Sequence, residues 1–138
     1  MNRVFLDANI VLDLLDSQRP GHAAALLLEE ALEADQASCL CAWHTLSIIE
    51  YVGSKVFGKA EMLEILRELL GSWIVPSTGT EEAKAAFLYL SGDYEDALQI
   101  AAAVAGRADY LVTRDKSGYQ KSPVKVVSPE ELCKLLAK

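Results

Sequence analysis

The sequence predicts an α/β domain with a mainly parallel sheet, and three observations carry that prediction. Short apolar runs of strand length alternate with longer stretches of helical period. The run around Leu111 is apolar without alternation, which suits a strand buried on both faces. The acids Asp7 and Asp115 each follow such a run, which places them outside the carboxyl ends of strands, where ligands gather in parallel sheets.

Taken in order, Arg3-Val4-Phe5-Leu6 is the first strand, and Asp7-Ala8-Asn9 leads into an apolar helix through Leu15. Pro20-Gly21 punctuates the chain, and residues 22–34 form an amphipathic helix whose Glu29, Glu30 and Glu33 face solvent. Residues 38–42 read as a second strand. Residues 45–52, TLSIIEYV, read as a helix in which Glu50 is hemmed by Ile48, Ile49, Tyr51 and Val52. Glu50 either points to water beside Ser47 and Ser54 or is held for chemistry. Residues 61–70 give another amphipathic helix closed by Gly71, and residues 73–75 a third strand before Pro76. Residues 80–91 open with a capping-type sequence, TEEAK, and continue as a helix.

The next helix carries Asp93, Glu95 and Asp96 at its head and is nearly all apolar from residue 97 to 105, mostly alanine, so that it can lie close against a sheet. Gly106 stops it. Residues 109–113 form the buried strand, residues 116–122 a loop, and residues 124–127 an edge strand. Ser128-Pro129-Glu130-Glu131 is a well-signalled start for the last helix.

With 138 residues, 51% of them hydrophobic, the chain is expected to form one domain over residues 1–138 with a sizeable core. No apolar run approaches the roughly 20 residues that span a bilayer, and MNRVFLD does not open a signal peptide. The expectation is a soluble, cytoplasmic protein with no membrane partner. The three cysteines suggest neither a disulfide framework nor a zinc site. A net charge of −7 argues against broad tracking of a nucleic-acid backbone, which needs many Lys or Arg on one face. It leaves room for a local site in which divalent metals neutralise an acidic pocket, flanked by Lys55, Lys59, Arg114, Lys116 and Lys121.

Asp7, Asp96 and Asp115 are brought towards one sheet edge by topology, since the helix headed by Asp96 must start there to cross back. Each acid also has an ordinary reading as a helix cap or a favourable first-turn charge. Converging carboxylates without a matching Lys or Arg repel one another, and a divalent cation is the usual compensation. Oxygen ligands without His or Cys favour Mg²⁺ or Mn²⁺ over zinc. The reaction that fits such a centre is phosphodiester hydrolysis.

FLDANIVLDLL, TLSIIEYV, DYEDALQIAAAV and ADYLVTRDKSGY, in this order over most of the chain, resemble the PIN domain of VapC-type toxins. The resemblance implies a three-layer α/β/α domain with a mainly parallel four- to five-stranded sheet, and a metal-dependent ribonuclease using Mg²⁺ or Mn²⁺. It also implies an RNA substrate, homodimers and commonly a cognate antitoxin. Position by position, the family's acids fall on Asp7, Glu50, Asp96 and Asp115, with Asn9 and Thr113 as supporting polar residues. Asp93 is an additional acid whose role the motif leaves open. Tyr119 stands where many relatives have Phe, a change expected only to exchange one aromatic contact for another. Two other enzyme readings fit less well. A haloacid-dehalogenase-type phosphatase needs a second aspartate where Asn9 stands, and a receiver needs its aspartate where Pro76 follows the strand. A non-catalytic RNA- or protein-binding module leaves the acid set without a purpose.

Overall fold

Val4, Phe5 and Leu6 are almost completely buried, as a central parallel strand requires. They belong to Arg3–Leu6 (β1), which is flanked by Ser38–Leu40 (β2) and Tyr110–Val112 (β3), with Lys125–Val127 (β4) beyond β3. The computed structural model describes residues 2–138. The four strands form one all-parallel sheet in the order β2-β1-β3-β4, with Val4 opposite Cys39, Phe5 opposite Leu111 and Val112 opposite Val127. Ile74 adds a single parallel bridge to Leu40. The expected third strand at residues 73–75 is reduced to that bridge, because the Trp73 N–H still closes the preceding helix on the Leu69 carbonyl and Pro76 follows at once.

Alternation along β1 divides the core. Val4 and Leu6 face one layer together with Ile10, Val11, Leu28, Leu32, Ile49, Met62 and Leu132. Those residues lie on the helices Ala8–Leu15 (α1), His22–Asp35 (α2), Leu46–Phe57 (α3), Lys59–Leu70 (α4) and Pro129–Leu136, the last of which is α7 below. Phe5, Leu40 and Leu111 face the other layer, against Ile100, Ala102 and Ala103. These are on Tyr94–Ala105, which follows the short helix Thr80–Ala85 (α5) and is α6. The result is the three-layer α/β/α arrangement with a parallel sheet that the family resemblance implied.

Boundaries differ where packing overrides local signals. The helix expected over residues 80–91 is α5 followed by a 3-10 turn at Ala86–Tyr89. The helix expected over residues 45–52 runs on to Phe57 and is ended by Gly58 at φ 82°. Gly106 does close α6, but the left-handed residue there is Arg107, at φ 55°. Glycine is required at 106 by proximity: a Cβ would lie 2.5 Å from Leu40 Cδ2 and 2.7 Å from Pro76 Cγ. The segment read as a loop at residues 116–122 contains a 3-10 turn, Lys116–Tyr119, and that turn completes the site.

Candidate functional site

The site begins where β1 ends. The Asp7 N–H still bonds the Val112 carbonyl at 3.2 Å, so the sheet fixes its backbone. Its side chain turns back to cap α1, with Oδ1 accepting from the Ile10 N–H at 3.0 Å. Asp7 is 4% exposed. Burial pushes its pKa up, against the hydrogen bonds of Thr113, Ile10 and Tyr119 and the charge of Arg114.

Asp96 arrives from the first turn of α6, half-buried. Burial and the neighbouring charge of Asp93 push its pKa up, with smaller pressure from Asp7 and Asp115 and an opposing hydrogen bond from Tyr119. Glu95 is raised by burial and by the charges of Asp93, Asp96 and Asp7. Asp93 itself is an exposed cap, its Oδ1 accepting from the Glu95 N–H at 2.8 Å. That is the ordinary reading of this residue, and it also contributes charge to Asp96.

Asp7 and Asp96 meet on one atom. The Tyr119 hydroxyl lies 3.3 Å from Asp7 Oδ2 and 3.3 Å from Asp96 Oδ1. Burial, then the two carboxylates, push the phenol well above its ordinary range, so it stays protonated and donates. The substitution at this position therefore does more than exchange aromatic contacts, because the hydroxyl that Phe lacks bridges two acids. Gly118 allows the approach, since a Cβ there would lie 2.1 Å from Asp96 Oδ2.

Asp115 is placed differently. It caps the Lys116–Tyr119 turn, accepting from the Ser117 N–H at 3.0 Å, and lies exposed at the rim. The Ser117 hydrogen bonds hold its pKa below the usual value. Thr113, buried behind it, accepts the Asp115 N–H at 3.2 Å, and its hydroxyl also serves Asp7. Glu50 lies on α3, half-buried, and accepts a hydrogen bond from Ser54 of its own helix. Asn9 is exposed in the first turn of α1 and accepts from Arg19 Nη2 at 3.2 Å. The structure thus joins Asp7 and Asp96 through Tyr119, sets Asp115 and Asp93 at their edge, and leaves Glu50 on its own helix. Among the described residues, no three His, Cys, Asp or Glu side chains cluster closely enough to hold a metal. Two carboxylates still suit the chemistry of Mg²⁺, which is commonly held by one or two carboxylates and keeps much of its hydration shell.

Sequence reasoning missed a second buried acid. Asp13, fully buried in α1, accepts from Arg19 Nε at 2.8 Å and from the Arg114 guanidinium. An acid in the apolar run ANIVLDLL was the available signal, since a buried charge needs a partner. Of the basic residues expected to flank the site, Arg114 is thus engaged by Asp13. Lys116 pairs with Glu131, and Lys55 lies over the Tyr51 ring at 4.4 Å.

An all-parallel sheet that brings two carboxylates, neither bonded to Lys or Arg, to its carboxyl edge defines an α/β protein with an acidic sheet-edge site. The chain belongs to the PIN domain family, whose model matches residues 3–117. It is 26% identical over 136 residues to "Ribonuclease VapC1" of Aquifex aeolicus, covering 95% of this chain and 93% of that one. Among solved structures it resembles a toxin–antitoxin complex from Klebsiella pneumoniae, at TM-score 0.68 and 25% identity, over 91% of this chain and 97% of that one. VapBC-1 from nontypeable Haemophilus influenzae aligns at TM-score 0.69 and 13% identity over 93% and 98% of the two chains, a likeness of fold. No helix among the described residues is long and apolar enough to cross a membrane.

Proposed function

We propose that residues 1–138 act as a single-domain, Mg²⁺- or Mn²⁺-dependent endoribonuclease, the toxin of a type II toxin–antitoxin pair, working in the cytoplasm as a homodimer. The observation that carries this reading is the Asp7–Asp96 pair, two acids sharing one hydroxyl with no Lys or Arg bonded to either. The ribonuclease name of the Aquifex relative and the toxin–antitoxin structures support the choice of RNA and of an antitoxin partner. Asp7 and Asp96 would hold the metal. Asp115 supplies further carboxylate from the rim, and Asn9, Thr113 and Asp93 support the site's polarity. A bound divalent cation activates water and stabilises the charge that develops on a phosphate. The chain's own part is to keep Asp7 rigid through its cap and Asp96 pressed on Gly118, and to hold Asp115 ionised at the rim. An antitoxin would silence the pocket by inserting Arg or Lys among these carboxylates.

The test is cleavage of single-stranded RNA by purified protein with Mg²⁺ or Mn²⁺ and with EDTA. Cleavage should require metal. It should fall at least about a thousandfold in Asp96→Asn, the several kcal/mol of charge stabilisation that a metal supplies. Full activity in EDTA or in folded Asp96→Asn would overturn the reading.

A further inference from the structure

The Tyr119 hydroxyl has one proton and three polar neighbours. Gln99 Nε2 donates to it at 3.2 Å. The orientation of that amide is set at its other end, where Gln99 Oε1 accepts the Ala8 N–H at 3.1 Å. A phenol oxygen that accepts from Gln99 must direct its proton elsewhere, and Asp7 and Asp96 are there, both at 3.3 Å. The hydroxyl cannot turn to water, because Tyr119 is 3% exposed and its ring belongs to the cluster of Phe5, Ile100 and Leu111. Gln99 is itself 2% exposed, a polar side chain buried among alanines for which packing alone gives no reason.

We propose, resting on the metal-dependent reading above, that Tyr119 is a positioning residue: held by Gln99, its hydroxyl sets the spacing of Asp7 and Asp96 for a divalent cation. The chain of donors runs from the first N–H of α1 through Gln99 to Tyr119 and ends on the two carboxylates. It therefore links three segments, α1, α6 and the Lys116–Tyr119 turn, at the atoms a metal would use. Gly118 completes the arrangement by letting the same turn press on Asp96 from its other oxygen. Partners of this kind, one bond behind the ligands, typically change metal affinity about 10- to 100-fold when removed.

Calorimetric titration with Mn²⁺ of wild type, Tyr119→Phe, Gln99→Met and the double variant tests this without any substrate. Tyr119→Phe keeps the ring and should bind Mn²⁺ about 10-fold more weakly. Gln99→Met should lose less, and the double variant should bind no more weakly than Tyr119→Phe, because Gln99 acts through the hydroxyl. A purely structural tyrosine would lower the melting temperature and leave Mn²⁺ affinity unchanged, which overturns the proposal, as would additive losses in the double variant. A wild type that binds no Mn²⁺ takes down the metal-dependent reading as well. A wild type that binds, matched by Tyr119→Phe, removes only this inference.

Discussion

Asp7 and Asp13 lie at the head and in the body of one helix, α1, both almost wholly buried, and the fold treats them oppositely. Asp13 is clasped by Arg19 and Arg114, so its charge is neutralised where it sits. Asp7 receives only neutral donors, Ile10, Thr113 and Tyr119, and feels Arg114 as the weakest of its influences. Two guanidiniums are thus committed to one acid while the pair at the sheet edge has none. The difference teaches how to sort such acids: the matched one holds the structure, and the unmatched pair carries the uncompensated negative charge that the proposed cation would offset.

The largest effect that would break this contrast is on stability. Asp13→Asn removes one side of a buried ion pair and should cost about 3 kcal/mol in urea unfolding, the low end of such losses because Arg114 and Arg19 can turn partly to water. A loss below about 1 kcal/mol would show that the guanidiniums re-solvate freely and that Asp13 is no anchor.

A smaller effect of opposite sign is expected at the unmatched pair. Asp7 and Asp96 have folded-state pKa values above the ordinary 3.8. Between 3.8 and those raised values the folded protein holds protons that the unfolded chain has released, so stability falls as pH climbs through that window and stays reduced above it. Glu29 and Glu95, also raised, act in the same direction from 4.5 upward. Asp115 and Glu131 are lowered, Glu131 to about 2, and contribute stability that is lost only as pH falls below 3.8 and 4.5 respectively. Melts in EDTA should therefore show this contribution as a melting temperature that rises as pH falls into the window just above 3.8, set against the loss from His44, whose burial lowers its pKa so that it costs stability as pH falls below 6.5. Each extra proton held contributes up to about 1.4 kcal/mol per pH unit. Asp7→Asn should flatten that rise, and an identical pH profile in the variant would end the argument that burial raises the Asp7 carboxyl.

The smallest effect sharpens the comparison at its edge. Asn caps a helix as well as Asp does, so Asp93→Asn should change stability by less than about 0.5 kcal/mol in the same unfolding measurement. A larger loss would mean that Asp93 supplies more than a cap to the start of α6.

The sheet, its parallel sense and the positions of Asp7 and Asp96 were legible because each rests on local signals: a short apolar run, a cap, an alanine-rich helix. What was not legible depends on partners far apart in sequence. Asp13 finds Arg114 across the crossover, and Tyr119 finds Asp7 across almost the whole chain. Residues 73–75 carried a strand pattern, yet sheet pairing there depends on where α4 ends. The segment around Tyr119 read as a loop because Gly, Ser and Lys signal turns without saying what a turn holds. Gln99, the one polar residue in an alanine-rich run, was a usable sign that the sequence alone could not attach to a partner.

Lys116, in the turn that carries Gly118 and Tyr119, is paired to Glu131 of α7, and α7 is seated in the core through Leu132. Order of synthesis gives this arrangement a consequence. As the chain emerges, Asp7 comes first and can cap its own helix, but Asp96 and Tyr119 follow about ninety and about a hundred and ten residues later, and the tie to Glu131 later still. A nascent chain that stops short of the turn has the carboxylates without the hydroxyl that bridges them. Translation itself thus withholds the assembled site until synthesis has passed Tyr119.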